Sequence, residues 1–323
     1  MNVTFRTDAS IQIGTGHVMR CLTLADELKA RGAHCHFICR DHPGNLIELI
    51  KNKDYLVTSL PFTSSSCKTL EAGGPHAHWL GASQQDDAEQ TSAVMGNTKA
   101  DWLIVDHYAL DARWERELKP YYRKLMVIDD LADRPHLCNL LLDQTFGRKE
   151  SDYIPWVPAN CKILCGAYYA LLRPEFAEWR PYSLQRRQNP ELKNILVTMG
   201  GVDKDNVTGR ILETLDRVVL PAGCQITVIM GTMAPWLNVI RQQVTTMVHP
   251  VTVLAGVSNM ARLMADSDLA IGAAGATSWE RCCLGLPTIM VVLAENQRHV
   301  AHGLESAAAA TVLASPDLIT EEL

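Results

Sequence analysis

The chain has 323 residues, 47% of them apolar and 20% charged, with a formal net charge of −6. That length exceeds one ordinary hydrophobic core and suits two domains of roughly 150 residues each. The acidic balance argues against nucleic acid as a partner. No apolar run approaches the roughly 18 residues of a membrane span, and no basic leader with a cleavage site precedes the first strand. A cytoplasmic protein without a membrane partner is expected.

Short apolar strands alternate with helical stretches. Val3–Asp8 reads as the first strand, followed by Gly14-Thr15-Gly16-His17 and a helix in which Val18, Cys21, Leu22, Ala25 and Leu28 share one face and Gly32 marks the end. Further strands are expected at His34–Arg40, Tyr55–Leu60, Trp102–His107, Lys124–Asp130, Leu140–Asp143 and Ile163–Cys165, with helices over Asn45–Lys53, Asp86–Met95 and Ala112–Lys119. The polar stretch from Pro61 to Asp87, with Ser64-Ser65-Ser66 and Gly73-Gly74-Pro75, reads as a long loop. Pro174–Pro190, rich in charge, glutamine and proline, reads as a linker, so domains of 1–175 and 192–323 flank a linker at 176–191. The second half repeats the alternation: strands at Asn194–Met199, Gln225–Met230, Val251–Leu254, Leu269–Ile271 and Thr288–Leu293, with helices starting near Asp205, Pro235, Ser258, Thr277 and Gln297. Unbroken Val/Ile/Leu strands between helices predict the α/β class, two doubly wound parallel-sheet, Rossmann-like domains facing a cleft. Ligands of such sheets sit beyond the carboxyl ends of the strands.

The ten cysteines read as reduced thiols, several of them (Cys39, Cys161, Cys165) inside apolar runs. There is no Cys-x-x-Cys pair, and strand alternation sends His34, Cys35 and His36 to opposite faces. His76 and His78 lie in a polar, glycine-rich loop. No metal site and no cofactor are expected.

Gly14 and Gly16 let the backbone approach a bulky anion where a helix begins, and helix amides favour negative charge there. His17 at that junction can touch a reacting group beside a phosphate; its plain alternative is a helix-start residue with its tip in water. Carboxylates recur at strand ends: Asp8, Asp106 before His107, Asp129 with Asp130, and Asp143. Capping and turns favour aspartate anyway, but four strand ends on one edge make a polar active face. Either Asp106 or Asp8 is placed to orient His17.

The second half opens with Thr198-Met199-Gly200-Gly201-Val202-Asp203, a second candidate anion loop, and carries Gly272-Ala273-Ala274-Gly275-Ala276-Thr277, with Ser278 and Glu280 following. Thr277 can cap the helix or bind phosphate, and Glu280 can accept both hydroxyls of a ribose, the grip that dinucleotide folds use. Glu280 as a first-turn helix acid is the competing reading.

Arg6-x-Asp8-Ala9-Ser10, Ile13-Gly14-x-Gly16-His17, Val105-Asp106-His107-Tyr108, Gly200-Gly201-x-Asp203, Gly272 through Glu280, Cys283-Leu284-Gly285-Leu286-Pro287 and Asn296-Gln297 occur in one order. Together they resemble the UDP-2,4-diacetamido-2,4,6-trideoxy-β-L-altropyranose hydrolases of pseudaminic acid biosynthesis, over essentially the whole chain. That family is similar to the peptidoglycan N-acetylglucosaminyltransferase in having the two-domain GT-B fold. The resemblance implies that His17 is the general base and that the Gly272–Glu280 segment, with Ala274, Gly275, Thr277 and Glu280, holds UDP. The expected substrate-binding set also takes in Asp8, Gly14, Gly16, Arg20, Asp106, Gly200, Gly201, Ser258 and Met260. Tyr168, Arg173, Asn296 and Gln297 are candidates for the hexose. Members of the family usually continue past the position of Leu323 with a helical tail.

UDP is a stable anion at neutral pH, so its release needs charge stabilisation more than a general acid, unlike ordinary glycoside cleavage. Activating water is left to a base, and a histidine has an ordinary pKa of about 6.5. The expected partner is a UDP-sugar. A glycosyltransferase or a sugar epimerase of the same fold, or a sugar-nucleotide binding protein, are the alternatives. A dinucleotide dehydrogenase is disfavoured because Met19 stands where Gly-x-Gly-x-x-Gly needs its last glycine. Oligomeric state is not legible, and a monomer is the working expectation.

Overall fold

The computed structural model describes residues 1–62, 74–97 and 99–320, and contacts divide the chain into Met1–Leu171 and Leu172–Leu323. The first unit contains β1 (Asn2–Thr7), α1 (Gly16–Ala30), β2 (His34–Arg40), α2 (Ile47–Asn52), β3 (Leu56–Leu60), α3 (Gln84–Met95), β4 (Ala100–Asp106), α4 (Ala112–Glu117), β5 (Tyr122–Ile128), β6 (Leu140–Asp143) and β7 (Lys162–Cys165). Its sheet runs β3-β2-β1-β4-β5-β6-β7, with every pairing parallel.

Strand side chains alternate between faces, so a strand buried on both sides feeds two cores. Ile104, Met126, Ile128 and Leu142 pack with Val18, Cys21, Leu22 and Ala25 of α1 and Ile47 and Ile50 of α2. Their neighbours Leu103, Val105, Leu125, Val127 and Leu141 pack with Ala88 of α3 and Trp114 of α4. That is why the strands read as unbroken apolar runs.

The second unit contains α5 (Pro174–Arg186), β8 (Asn194–Thr198), α6 (Val207–Leu215), β9 (Gln225–Met230), α7 (Leu237–Gln243), β10 (Val251–Ala255), α8 (Met260–Ala265), β11 (Leu269–Ala273), α9 (Thr277–Leu284), β12 (Thr288–Val291), α10 (Arg298–Ser306) and β13 (Thr311–Leu313). The sheet order is β10-β9-β8-β11-β12-β13, again all parallel. Ile195, Val197, Ile226 and Val228 face α6 and α7, while Leu196 and Ala270 face a core shared with Phe176, Met264 and Leu284. The architecture is the expected α/β one, with two parallel sheets.

The expected linker is corrected: Pro174–Arg186 is helix. Arg173 is extended before it, Pro174 opens the first turn where no N–H is needed, and Phe176 is wholly buried. The Ser183 hydroxyl donates to the Leu284 carbonyl at 2.7 Å, so this polar segment is a packed layer of the second unit. Its one irregularity is Pro181 inside the helix, which removes one backbone donor. The division after Leu171 also moves Arg173 into the second unit. Strand β13 was not anticipated. Of the expected loop at Pro61–Asp87, Ser64-Ser65-Ser66 and Gly73 lie outside the described residues; Ala77–Leu80 forms a short 3-10 turn, and the chain is helical from Gln84.

Candidate active site

In the first sheet the strand order reverses beside β1: β2 and β3 extend to one side, β4 to the other. The crevice at such a reversal is where these sheets take ligands. Thr7 pairs with Asp106 in register, so the loop after β1 and the end of β4 meet at that crevice. Ser10 and Gly14 form an isolated antiparallel bridge, and the Ser10 hydroxyl accepts from the Gln12 and Ile13 amides at 3.1 and 2.9 Å. Gly14 takes a left-handed φ of +80°, which only glycine adopts cheaply. The tight turn delivers the chain to α1 at Gly16, and Thr15 at its cap makes no side-chain hydrogen bond to the helix amides.

His17, the second residue of α1, is 7% exposed, and its Nδ1 lies 2.5 Å from Asp106 Oδ1. Arg20, one turn on, grips Asp106 with Nε at 2.6 Å and Nη2 at 2.7 Å, and reaches Asp130 with Nη1 at 2.5 Å. Asp130 also accepts the Tyr108 hydroxyl at 2.8 Å. Burial would raise the Asp106 carboxyl, but Arg20 and His17 against it hold it well below the usual carboxylate range. An ionised carboxylate only accepts, so Nδ1 carries a hydrogen, and whenever the ring is neutral the lone pair is on Nε2.

An aromatic wall flanks the ring. The Tyr108 ring meets His17 edge-on at 4.5 Å between centroids, Trp79 is stacked on Tyr108 at 5.8 Å, and His76 sits 4.5 Å from Trp79.

Asp8 does not orient His17. It is wholly buried, accepting Arg6 Nη1 at 2.7 Å and the Arg40 amide at 2.6 Å. Arg6 joins Asp87 of α3 through Nε at 3.1 Å and Nη2 at 2.6 Å, and Asp87 also takes Arg40 Nη2 at 2.6 Å and Trp114 Nε1 at 2.9 Å. This cluster ties β1, β2, α3 and α4 together through Asp8 Oδ1, while Asp8 Oδ2 makes no hydrogen bond and lies 3.3 Å from His107 Nε2 and 3.6 Å from His42 Nε2. Asp129 and Asp143 likewise serve their loops: Asp129 accepts the Leu131 and Ala132 amides at 3.2 and 2.9 Å, and Asp143 the Thr145 amide at 2.7 Å. A cavity of about 650 Å³ lies at the opposite, amino ends of these strands, lined by Asn2, His34, Leu56 and Ala100 among others, away from the crevice.

In the second unit the order reverses between β8 and β11. After β8, Gly200 is left-handed at φ +89°, and a Cβ at Gly231 would lie 2.1 Å from the Gly201 carbonyl oxygen, so the Gly200–Gly201 turn is packed against a neighbouring loop. Asp203 accepts the Val207 and Thr208 amides at 2.9 Å each, so the start of α6 is filled by the chain's own carboxylate. The start of α9 differs: Ala276 caps it with no side-chain hydrogen bond. Ala274, Gly275 and Thr277 form this open turn, Ala274 itself being 1% exposed. Glu280 is drawn to Arg173 Nη2 at 3.4 Å, and burial, opposed by Arg173, raises its carboxyl above the ordinary value.

Of the remaining expected residues, Ser258 is exposed, and Met260 packs partly into the second unit's core. Gln297 accepts the Leu293 amide at 2.9 Å, with Asn296 beside it in a short turn. Tyr168 is 94% exposed. The structure thus joins His17, Arg20 and Asp106 behind the Gly14–Gly16 turn, and Arg173 with the Ala274–Glu280 segment. Asp130 was among the strand-end carboxylates expected on this edge; sequence reasoning missed Trp79, and it named His76 only as part of a polar loop.

Residues 194–323 match the glycosyltransferase family 28 C-terminal domain. The whole architecture is similar to the crystal structure of MurG from Acinetobacter baumannii, with a TM-score of 0.63 at 16% identity, over 99% of this chain and 89% of that one. The chain has the GT-B fold. This GT-B chain is 26% identical to the UDP-2,4-diacetamido-2,4,6-trideoxy-β-L-altropyranose hydrolase of Campylobacter jejuni, over 93% of this chain and 95% of that protein. It is 24% identical to the spore coat polysaccharide biosynthesis protein SpsG of Bacillus subtilis, over 100% of this chain and 86% of that one. An uncharacterised protein of Methanocaldococcus jannaschii is 24% identical over 92% of this chain, which spans 57% of that protein's length.

Proposed function

We propose that the protein is a nucleotide-sugar hydrolase that releases UDP from UDP-2,4-diacetamido-2,4,6-trideoxy-β-L-altropyranose, in pseudaminic acid biosynthesis. The observation that carries this reading is the 2.5 Å contact of His17 Nδ1 with a buried, ionised Asp106, which leaves Nε2 as a base. The similarity to the Campylobacter jejuni hydrolase across nearly both chains supports the substrate. Nε2 takes a proton from water, the water oxygen bonds to the anomeric carbon, and the bond from that carbon to the β-phosphate oxygen breaks, its electron pair leaving with UDP. Attack opposite the diphosphate inverts the anomeric centre.

In this reading the first unit supplies the base and the Gly14–Gly16 turn, and the second holds UDP at the Ala274–Thr277 turn, with Glu280 on the ribose. The arrangement is chemically sufficient, because the developing charge on UDP meets backbone amides and helix starts. The family 28 match favours a second reading, a glycosyltransferase with the same UDP grip and a sugar acceptor in place of water. Incubation with UDP-sugars alone separates the two. The hydrolase yields free UDP and an equal amount of reducing sugar without any acceptor; UDP released only when an acceptor is added would replace the first reading with the second.

A further inference from the structure

A cation lies buried in the second unit with no carboxylate hydrogen-bonded to it, Glu280 acting on it only through space. Arg281, in α9, is 1% exposed. Its Nη2 donates to the Ala273 carbonyl at 2.7 Å and the Ser278 hydroxyl at 3.2 Å, and its Nη1 to the Thr277 hydroxyl oxygen at 3.3 Å. All three partners are neutral, and the buried Nε has none. The acid nearest in sequence, Glu280, is drawn to Arg173. Among the described residues no carboxylate forms an ion pair with Arg281. A buried guanidinium without a counter-ion costs several kcal/mol, so its retention needs a cause.

Its location supplies one. A Cβ on Gly272 would come within 2.2 Å of Arg281 Nη1 and 3.3 Å of the Thr198 carbonyl oxygen. The glycine therefore makes room for the guanidinium at the adjoining carboxyl ends of β8 and β11, where the strand order reverses. The same guanidinium holds the first two residues of α9, whose cap is open. Because the Thr277 oxygen accepts from Arg281, its own hydrogen is turned away and available to a ligand.

We propose that Arg281 is the buried counter-charge for the diphosphate of a nucleoside diphosphate bound at the Ala274–Thr277 turn, completed electrically only when that anion is present. This rests on the reading of the second unit as the UDP-holding one, and adds the residue that makes the turn selective for charge. Arg281 is a positioning residue: it acts through the turn and through its field, without touching the ligand.

The test is calorimetric titration of the full chain with UDP and with uridine, for the wild type, R281Q and R281K. The ratio of the two affinities isolates the diphosphate and cancels general damage to the fold. R281Q is expected to lower the UDP-to-uridine ratio about tenfold, as for loss of one nearby counter-charge acting through space, with R281K keeping the ratio within about threefold of wild type. If R281Q does not fold, R281K alone decides, since a lysine that loses the ratio like a neutral residue overturns the proposal. So does a folded R281Q with an unchanged ratio, or with both ligands weakened in parallel. A wild type that binds uridine as tightly as UDP would instead remove the UDP reading of the second unit, and the Arg281 proposal with it.

Discussion

His17 and Asp106 are 89 residues apart in sequence and 2.5 Å apart in space, joined because β1 and β4 are register partners at the point where the sheet reverses direction. If Nε2 is the base, His17→Ala or His17→Asn lowers turnover about 10²–10⁴-fold while UDP affinity stays close to wild type. Steady-state kinetics paired with UDP titration checks this, and near-normal turnover would remove His17 from the mechanism.

Asp106→Asn separates orientation from base strength. The amide presents a donor to Nδ1, so the ring no longer keeps its hydrogen on that side, and kcat is expected to fall about 10²–10⁴-fold with KM little changed. Arg20 would keep only Asp130 as a charged partner, so a loss of about 1–3 kcal/mol in folding stability should accompany it. A variant with full kcat would mean that the dyad plays no part in turnover.

Asp8, Asp87 and Asp106 set the acid limit of the fold. Burial works to raise each carboxyl, yet Arg6 for the first two and Arg20 for the third hold all three below the ordinary value. A folded pKa below the unfolded value, about 3.9, gives stability that is present above that value and is lost as pH falls through it toward the folded pKa. Urea midpoints should drop below about pH 4. Midpoints that hold or rise on acidification to about pH 3 would contradict this account.

Glu280 tests the nucleotide grip. Its removal in Glu280→Ala should weaken UDP by about 1.5–3 kcal/mol if the carboxylate accepts the ribose hydroxyls. Binding of 2′,3′-dideoxy-UDP, which lacks those hydroxyls, should be indifferent to the substitution. Equal UDP affinity for a folded variant and the wild type would return Glu280 to a helix-start acid paired with Arg173.

Isotope labelling decides which bond breaks. With water attacking the anomeric carbon, oxygen-18 from solvent enters the sugar, UDP leaves unlabelled, and the first-formed anomer is inverted. Activity should survive excess EDTA, because the charge on the leaving diphosphate meets amides and a helix start, whereas attack at phosphorus usually enlists a divalent metal. Label in UDP, or activity lost to EDTA and restored by metal, would overturn the mechanism.

What the sequence disclosed was local. Every strand of the first sheet, the Gly14–Gly16 turn and α1 with its Gly32 end follow from apolar spacing and turn chemistry. The helix at Pro174–Arg186 was hidden by its polar composition and by Pro181, although Phe176, Trp179 and Ser183 recur at helical spacing on one side. The choice between Asp8 and Asp106 was beyond reach for another reason: it depends on strand register and on which carboxylate an arginine claims first, and both are long-range facts. His76 was set aside with its loop and Trp79 drew no notice, since nothing nearby in sequence tells that Tyr108 gathers them beside His17.

The carboxylate of Asp87 carries an implication for anyone altering this protein. It binds Arg6, Arg40 and Trp114 at once, and it stands only a few residues along the chain from Trp79. Random mutagenesis scored by lost turnover should flag Asp87 as sharply as it flags His17, although Asp87 is sealed from solvent and meets no substrate. If the proposed function holds and the aromatic wall meets the sugar, a search for a new sugar preference would vary His76 and Trp79 and leave Asp87 as the mooring of the cluster behind them.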